Sequence, residues 1–209
     1  MQLLDLVAPR NWKDPTPDKD FVYDLIAIGA GAGGLVSSKQ SARRGYRSAL
    51  VEKHLAGGDC LNTGCVPSKS LLCSAKMIRE IMNAREKLGV LVPLPNVDFV
   101  KVMRRMRVLR AEIAPADSFA GAQALGVDVF HGEAKFVGPH ALQVGGKTLS
   151  FRKCVIATGA RPVVPNGIIG LESVPYLTSS NIFNLSVLPE RLIIVGGGNI
   201  ACELGQAFA

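Results

Sequence analysis

Apolar residues in this chain follow two patterns: short unbroken runs that end at glycine, and longer stretches in which they recur every three or four positions. The first pattern marks strands buried on both faces of a sheet, and the second marks one face of a helix. Residues 24–28, Asp-Leu-Ile-Ala-Ile, form such a run and close at Gly29. A segment that can be helical follows as far as Arg44, where Gly45 stops it. Residues 47–51 form a second run, ended by Glu52. A further helix begins near Pro67 and runs through Leu71, Leu72, Met77, Ile78 and Ile81. Residues 97–113 make an amphipathic segment with Val102, Met106, Leu109 and Ile113 on one side. Lys101, Arg104, Arg105, Arg107 and Arg110 occupy most of the rest of its circumference.

From Val127 the period shortens. Residues 127–131, 134–137, 141–144 and 148–151 are brief strand patterns, with Gly145-Gly146 as a turn between the last two. They predict a small antiparallel meander inserted before the sheet resumes at residues 154–157, which lead into Thr158-Gly159-Ala160. Residues 161–189, rich in Pro, Gly, Ser and Asn, predict a linker and domain crossing. Residues 191–195 predict another strand, and the chain stops at Ala209 inside the helix that follows it. Residues 1–22, with Asp5 breaking the apolar patch and Pro9, Pro15 and Pro17 after it, predict an extended arm leading in to the first strand.

The bulk numbers narrow the class. With 209 residues, 48% of them hydrophobic, the chain can bury one full domain and the start of another. A net charge of +7 favours polyanions in general: nucleic acid, an anionic membrane or cofactor phosphates. Aromatic residues make up only 6%, too few for base-stacking platforms, so nucleic acid is not the expected partner. For residues 97–113 the basic side chains are expected to be the solvated face of a core-packed helix rather than a membrane or nucleic-acid surface. No run approaches a membrane span, and the acidic, interrupted start has neither the basic end nor the apolar core of a secretory signal. Five cysteines without framework spacing point to the cytoplasm or another reducing compartment.

Chemistry enters at the first glycine turn. Gly29-Ala30-Gly31-Ala32-Gly33-Gly34 has the G-x-G-x-x-G spacing between a strand and a helix. Gly29 allows the tight turn, Gly31 lets backbone approach a pyrophosphate, and Gly34 lets helix and strand pack closely. Glu52, at the end of the next strand, stands where an acid accepts from ribose hydroxyls. Gly196-Gly197-Gly198-Asn199-Ile200-Ala201 repeats the signal near the chain's end.

Between the two turns lies Gly57-Gly58-Asp59-Cys60-Leu61-Asn62-Thr63-Gly64-Cys65-Val66-Pro67-Ser68-Lys69. Residues five apart in a regular helix stand about 7.5 Å apart along the axis and on different faces, so two cysteines at this spacing can pair only across an irregular turn. Asn62 and Gly64 permit one. Cysteines just ahead of a helix N-terminus suit thiolate chemistry. A pair of buried structural thiols is the alternative. A zinc site is disfavoured because His54, His131 and His140 are scattered, and no metal is expected.

Two nucleotide turns, a Cys-x4-Cys between them and Ala157-Thr158-Gly159 before the crossing resemble the class I pyridine nucleotide-disulfide oxidoreductases. That family includes glutathione reductase, dihydrolipoamide dehydrogenase and mercuric reductase, and the motif around Cys60 is most similar to the mercuric-reductase-like branch. The resemblance covers the chain from about Tyr23 to Ala209. It implies an α/β architecture: a Rossmann-like FAD-binding domain whose parallel sheet carries the inserted meander, plus the first βα unit of a second dinucleotide-binding domain. The implied division is an arm at 1–22, an FAD domain with a redox disulfide at 23–160, the crossing at 161–189 and the start of an NAD(P) domain at 190–209.

The resemblance also assigns roles. Gly29, Ala30, Gly31, Gly33, Gly34, Glu52 and Lys53 would hold the adenosine diphosphate half of FAD, with Gly58 and Asp59 at the pyrophosphate and Ala134 near the adenine. Ala157, Thr158 and Gly159 would line the flavin side. Cys60 would be the outer thiol that exchanges with substrate and Cys65 the inner thiol that receives electrons. Lys69 would lie by the flavin paired with Glu203, and Gly196, Gly198, Asn199 and Ile200 would receive NAD(P)H. Cys73, Cys154 and Cys202 match no redox position and are expected to be packing residues. Asp59 stands where many relatives have Thr, and Asn199 where glutathione reductase has a gating tyrosine. The implied reaction passes electrons from NAD(P)H through FAD to the cysteine pair and on to a disulfide or metal-ion substrate, in a homodimer when full-length. In the family the remaining chain supplies most of the NAD(P)H site and a dimerisation domain with the catalytic histidine. These 209 residues are therefore expected to bind FAD without efficient turnover on their own, needing a complementary chain or larger assembly. A truncated, non-catalytic FAD-binding or structural subunit is the alternative.

Overall fold

The apolar run at 24–28 lies near the middle of a six-stranded sheet, paired on both sides. The computed structural model describes residues 3–18 and 20–209. These form two compact units, one made of the residues through Asn62 with Arg110–Ala160, the other of Thr63–Leu109 with Arg161–Ala209. In chain order the elements are α1 (Leu3–Val7), β1 (Val22–Ile28), α2 (Ala32–Arg43), β2 (Ser48–Glu52), α3 (Gly58–Asn62), α4 (Cys65–Lys87) and α5 (Phe99–Asp117). Then come α6 (Phe119–Gln123), β3 (Val127–His131), β4 (Lys135–Gly138), β5 (Ala141–Val144), β6 (Lys147–Ile156) and α7 (Asn199–Phe208).

The first unit holds the sheet, ordered β3-β2-β1-β6-β5-β4. β1 runs parallel to β2 and β6, and β2 parallel to β3. β4, β5 and β6 are antiparallel neighbours. The result is a mixed α/β fold of Rossmann-like type, as expected. Two details differ from the sequence pattern. Residues 127–131 do not belong to the meander; β3 is the outer parallel strand, in register with β2. The patterns at 148–151 and 154–157 are one strand, β6, which pairs with β5 through its first residues and with β1 from Ser150 onward. Arg152 and Lys153 hid this continuity, because both are exposed on a strand otherwise partly buried. Arg152 Nε also reaches Asp24 Oδ1 at 3.6 Å.

Tyr23, Ile26, Ala49, Val51, Phe130, Leu142, Val144, Leu149 and Phe151 form the sheet's buried cluster. Removing each large side chain from water contributes about 1.5–3 kcal/mol. This cluster holds the C-terminal strand ends in place, and the glycine turns grow from them. The arm is not wholly extended: residues 3–7 are helical, and Val7 is fully buried.

In the second unit Leu71, Met103, Met106, Ile182, Phe183 and Leu204 pack together. On α5 Met106 of the expected stripe is fully buried, as are Met103 and Ala114, while Val102 and Leu109 are half-buried and Ile113 is 41% exposed. The basic residues of α5 are exposed as expected, except for half-buried Arg110, and two of the exposed ones also reach neighbouring polar groups. Arg105 Nη1 donates to Ser70 O and Oγ at 3.3 and 3.2 Å, and Arg107 Nη2 donates to Leu185 O at 3.1 Å. Within the stretch expected as a linker, Ile182 and Phe183 are buried. Residues 191–195 do not form a strand; among the described residues they have no ladder partner, and Ile193 is 89% exposed. The α7 helix after them forms, starting from Gly198.

Candidate functional site

In the first unit the site is built at the ends of β1, β2 and β6. Gly29 N–H donates to Val51 O at 2.7 Å and Ala157 N–H to Ile28 O at 2.8 Å, so the turn hangs from both neighbouring strands. Gly29 has φ +101, and a Cβ there would lie 2.2 Å from Ala157 O. A Cβ on Gly34 would lie 1.7 Å from Gly29 O, so the start of α2 presses directly on the turn. Gly31 caps α2 with extended backbone and no side-chain hydrogen bond, which leaves the first-turn N–H groups for an anion. Gly33 faces Ala157, its Cβ position 3.4 Å from the Ala157 Cβ.

A second glycine turn meets the first. Gly57 N–H donates to Ala30 O at 2.8 Å, and a Cβ on Gly58 would fall 2.5 Å from Gly31 Cα. Backbone therefore faces backbone in a cradle that a side chain would fill. Asp59 follows, exposed, with Oδ2 3.9 Å from the Cβ position of Gly159. Thr158 and Gly159 are exposed after β6, and Ala134 packs half-buried against the sheet cluster.

Glu52 braces the cradle. Its Oε2 accepts from Ala30 N–H at 2.6 Å and its Oε1 from His54 N–H at 2.7 Å. Each oxygen keeps a lone pair for a further donor such as a ribose hydroxyl. Lys53 Nζ pairs with Glu133 at 2.9 Å, and that hydrogen bond holds the Glu133 carboxyl below its ordinary value. Open helix N–H groups, a side-chain-free cradle and an acid at the strand end suit the pyrophosphate and ribose of a dinucleotide, so these residues fit FAD.

In the second unit Lys69 Nζ and Glu203 Oε1 form an ion pair that joins α4 to α7. The hydrogen bond from Lys69 is the main reason the Glu203 carboxyl sits below its ordinary value. Cys65, exposed, is the first residue of α4, and Lys69 lies one turn further along the same face. Pro67 is buried in that first turn. Gly196, at φ +115, and Gly198, the cap of α7, are exposed together with Asn199 and Ile200.

Both cysteines lie inside helices rather than ahead of one. Cys60 is in α3 and Cys65 opens α4, with the break at Thr63–Gly64. A pairing of the two cysteines would have to span that break. Sequence reasoning missed Gly57 as a brace of the cradle, although its place in a Gly-Gly pair was a signal. It also missed Glu133, for which a partner 80 positions from Lys53 leaves no pattern. Among the described residues no group of three or more His, Cys, Asp or Glu could hold a metal ion, and no helix is long and apolar enough to cross a membrane.

Residues 23–209 match the family model described as pyridine nucleotide-disulphide oxidoreductase. The chain belongs to that family. Its members are FAD-dependent flavoproteins that take electrons from NAD(P)H. Over 186 residues the chain is 36% identical to a mercuric reductase of Lysinibacillus sphaericus, covering 89% of this chain and 34% of that protein. Over 199 residues it is 36% identical to a dihydrolipoyl dehydrogenase of Haloferax volcanii, covering 89% of this chain and 40% of the other. The solved structure of the HOCl-induced flavoprotein disulfide reductase RclA from Escherichia coli superposes with a TM-score of 0.73 at 31% identity, over 89% of this chain and 39% of that one. The chain thus spans between 30% and 40% of the length of these and similar relatives.

Proposed function

We propose that this chain forms the N-terminal part of a flavoprotein disulfide oxidoreductase of mercuric-reductase-like type, acting on a disulfide or a metal ion. Residues 23–160 would bind FAD, 161–189 cross over, and 190–209 begin the NAD(P)H site. Gly29, Ala30, Gly31, Gly33, Gly34, Gly58 and Glu52 would hold the adenosine diphosphate moiety, with Lys53 and Ala134 toward the adenosine and Ala157, Thr158 and Gly159 toward the flavin. FAD, when bound, supplies the two-electron carrier between NAD(P)H and the cysteines.

The chemistry left to the chain is thiol exchange. With the pair reduced, the Cys60 thiolate attacks one sulfur of a substrate disulfide, forming a mixed disulfide and releasing the first thiol. The Cys65 thiolate then attacks the Cys60 sulfur, releasing the second thiol and closing the Cys60–Cys65 disulfide. Lys69 supplies a fixed positive charge one turn from Cys65, and Glu203 holds its ammonium in place. The observation that carries this reading is the Lys69–Glu203 pair, whose members lie 134 positions apart and beside the two motifs they serve.

The test is to load the purified chain with FAD and titrate separately with NADH, NADPH and a small dithiol while following flavin absorbance, then trap the reduced thiols with iodoacetamide. Bleaching by a dithiol, with Cys60 labelled ahead of Cys65, is the expected outcome. A chain that binds FAD yet is reduced by neither nucleotide nor dithiol would be a flavin-binding subunit without turnover.

A further inference from the structure

The residues before Tyr23 lie outside the family match, yet they are tied into the cradle at two points. The first is Val7, fully buried, whose carbonyl accepts from Ala56 N–H at 2.8 Å. Ala56 is itself fully buried and starts the turn whose Gly57 bonds to Ala30 and whose Gly58 abuts Gly31. The second point is the open edge of the sheet. β3 is its outer strand, and residues two apart on a strand present their backbone groups to the same side. Val129 O accepts from Trp12 Nε1 at 3.0 Å, and His131 N–H donates to Asp14 Oδ1 at 2.9 Å. The arm therefore takes up edge groups that would otherwise need water or a further strand. Trp12 also stands edge-on to Phe119, ring centres 5.3 Å apart, and Lys147 Nζ donates to Asp14 O at 3.4 Å. His131 is the register partner of Glu52, and Gly132 N–H donates to Glu52 O at 2.9 Å.

We propose that residues 7–14 are a clasp on the dinucleotide site, in which Val7 positions the 56–58 turn at the pyrophosphate end and Trp12 and Asp14 position the end of β3 beside Glu52 at the ribose end. This rests on the assignment of FAD to that cradle. Val7, Trp12 and Asp14 are positioning residues: they act through Ala56, Val129 and His131.

The experiment uses the full chain with Trp12→Ala, Asp14→Ala, the double variant and Asp14→Asn, which keeps an acceptor. FAD affinity is read from flavin fluorescence, and amide exchange is followed in the FAD-free protein. The double variant is expected to bind FAD about tenfold more weakly, the effect of losing one to two modest hydrogen bonds. Its Ala56 and His131 amides should exchange faster while Ile26 and Leu50 do not change, and Asp14→Asn should bind FAD close to wild type. Unchanged FAD affinity in the double variant overturns the clasp, whatever the exchange shows. Faster exchange at Ile26 and Leu50 to the same degree overturns it too, because the loss is then global. A wild-type chain without affinity for FAD overturns the flavin assignment and the clasp together, whereas wild-type binding with an unaffected double variant overturns the clasp alone.

Discussion

Gly58 lies against Gly31 so closely that a Cβ on Gly58 would fall 2.5 Å from the Gly31 Cα. Gly58 also has φ +54. Gly58→Ala therefore combines left-handed strain of about 1–2 kcal/mol with a backbone clash that must push the two turns apart. The expected result is a lower urea midpoint and an FAD dissociation constant raised by at least about tenfold. Gly45→Ala is the control, since Gly45 has φ +83 but no atom within 4 Å of its Cβ position. It should lose the strain energy and leave FAD affinity unchanged. Equal effects on FAD from the two variants would mean that the cradle is not the binding surface.

The Lys69–Glu203 pair is open to solvent, with side chains 60% and 35% exposed. Glu203→Gln should therefore change stability little, as for other exposed pairs. If the pair serves chemistry, the same change lowers the rate of reduction by dithiol much more than it lowers the melting temperature. The pH dependence has a definite sign. A carboxylate held below its ordinary value near 4.5 supports the fold above that value and loses its contribution as pH falls through the lowered one. Amide protection along α7, with the intrinsic pH dependence of exchange divided out, should be flat from pH 8 to about 5 and fall only in more acid solution, and Glu203→Gln should remove the fall.

The nucleotide turn was legible because its signals are local: a run closing at Gly29, three spaced glycines and Glu52 all fall within one βαβ unit. Strand β6 was not, because Arg152 and Lys153 break an apolar pattern at positions whose side chains face water. The place of β3 was hidden for another reason. A parallel strand is joined to its neighbour by a long connection, so no turn marks the pairing, and only the register with residues 48–52 shows it. The Lys69–Glu203 pair followed from resemblance to a family, not from any pattern between residues 134 apart. The arm's hold on Ala56 and His131 left no sign, because the group held is a backbone N–H in both cases.

Burial separates Cys154 from Cys73 and Cys202. It lies half-buried on β6, and desolvation raises its ionisation above the ordinary 9.0, while Cys73 and Cys202 are exposed. The thiolate is the reactive form, so Cys154 should alkylate severalfold more slowly than Cys73 or Cys202 at pH 8. The gap should narrow as pH rises through the raised range in which Cys154 gains its thiolate. A time course of iodoacetamide labelling resolved by peptide mass spectrometry reads all three. Labelling of Cys154 as fast as Cys73 would show that this part of β6 opens readily, against its pairing with β1.

Tyr23 sets the alkaline limit of the sheet. It is 1% exposed, and its hydroxyl donates to Asp128 Oδ2 at 2.7 Å. Burial first, then that hydrogen bond and the carboxylate's charge, push its ionisation well above the ordinary value. In the unfolded chain the phenol ionises near about 10. A raised folded value means the contribution is complete below about 10 and is lost as pH rises beyond it, because the unfolded chain releases a proton that the folded one keeps. Stability from urea titrations should fall above pH 10 with an added slope of up to about 1.4 kcal/mol per pH unit. Tyr23→Phe should remove that slope. At neutral pH it should cost about 1 kcal/mol for the hydrogen bond, with the edge-on contacts to Phe21 and Phe130 retained. Wild type and Tyr23→Phe with parallel profiles from pH 9 to 11 would mean that the phenol ionises in place, and that Asp128 and the surrounding cluster do not hold it neutral.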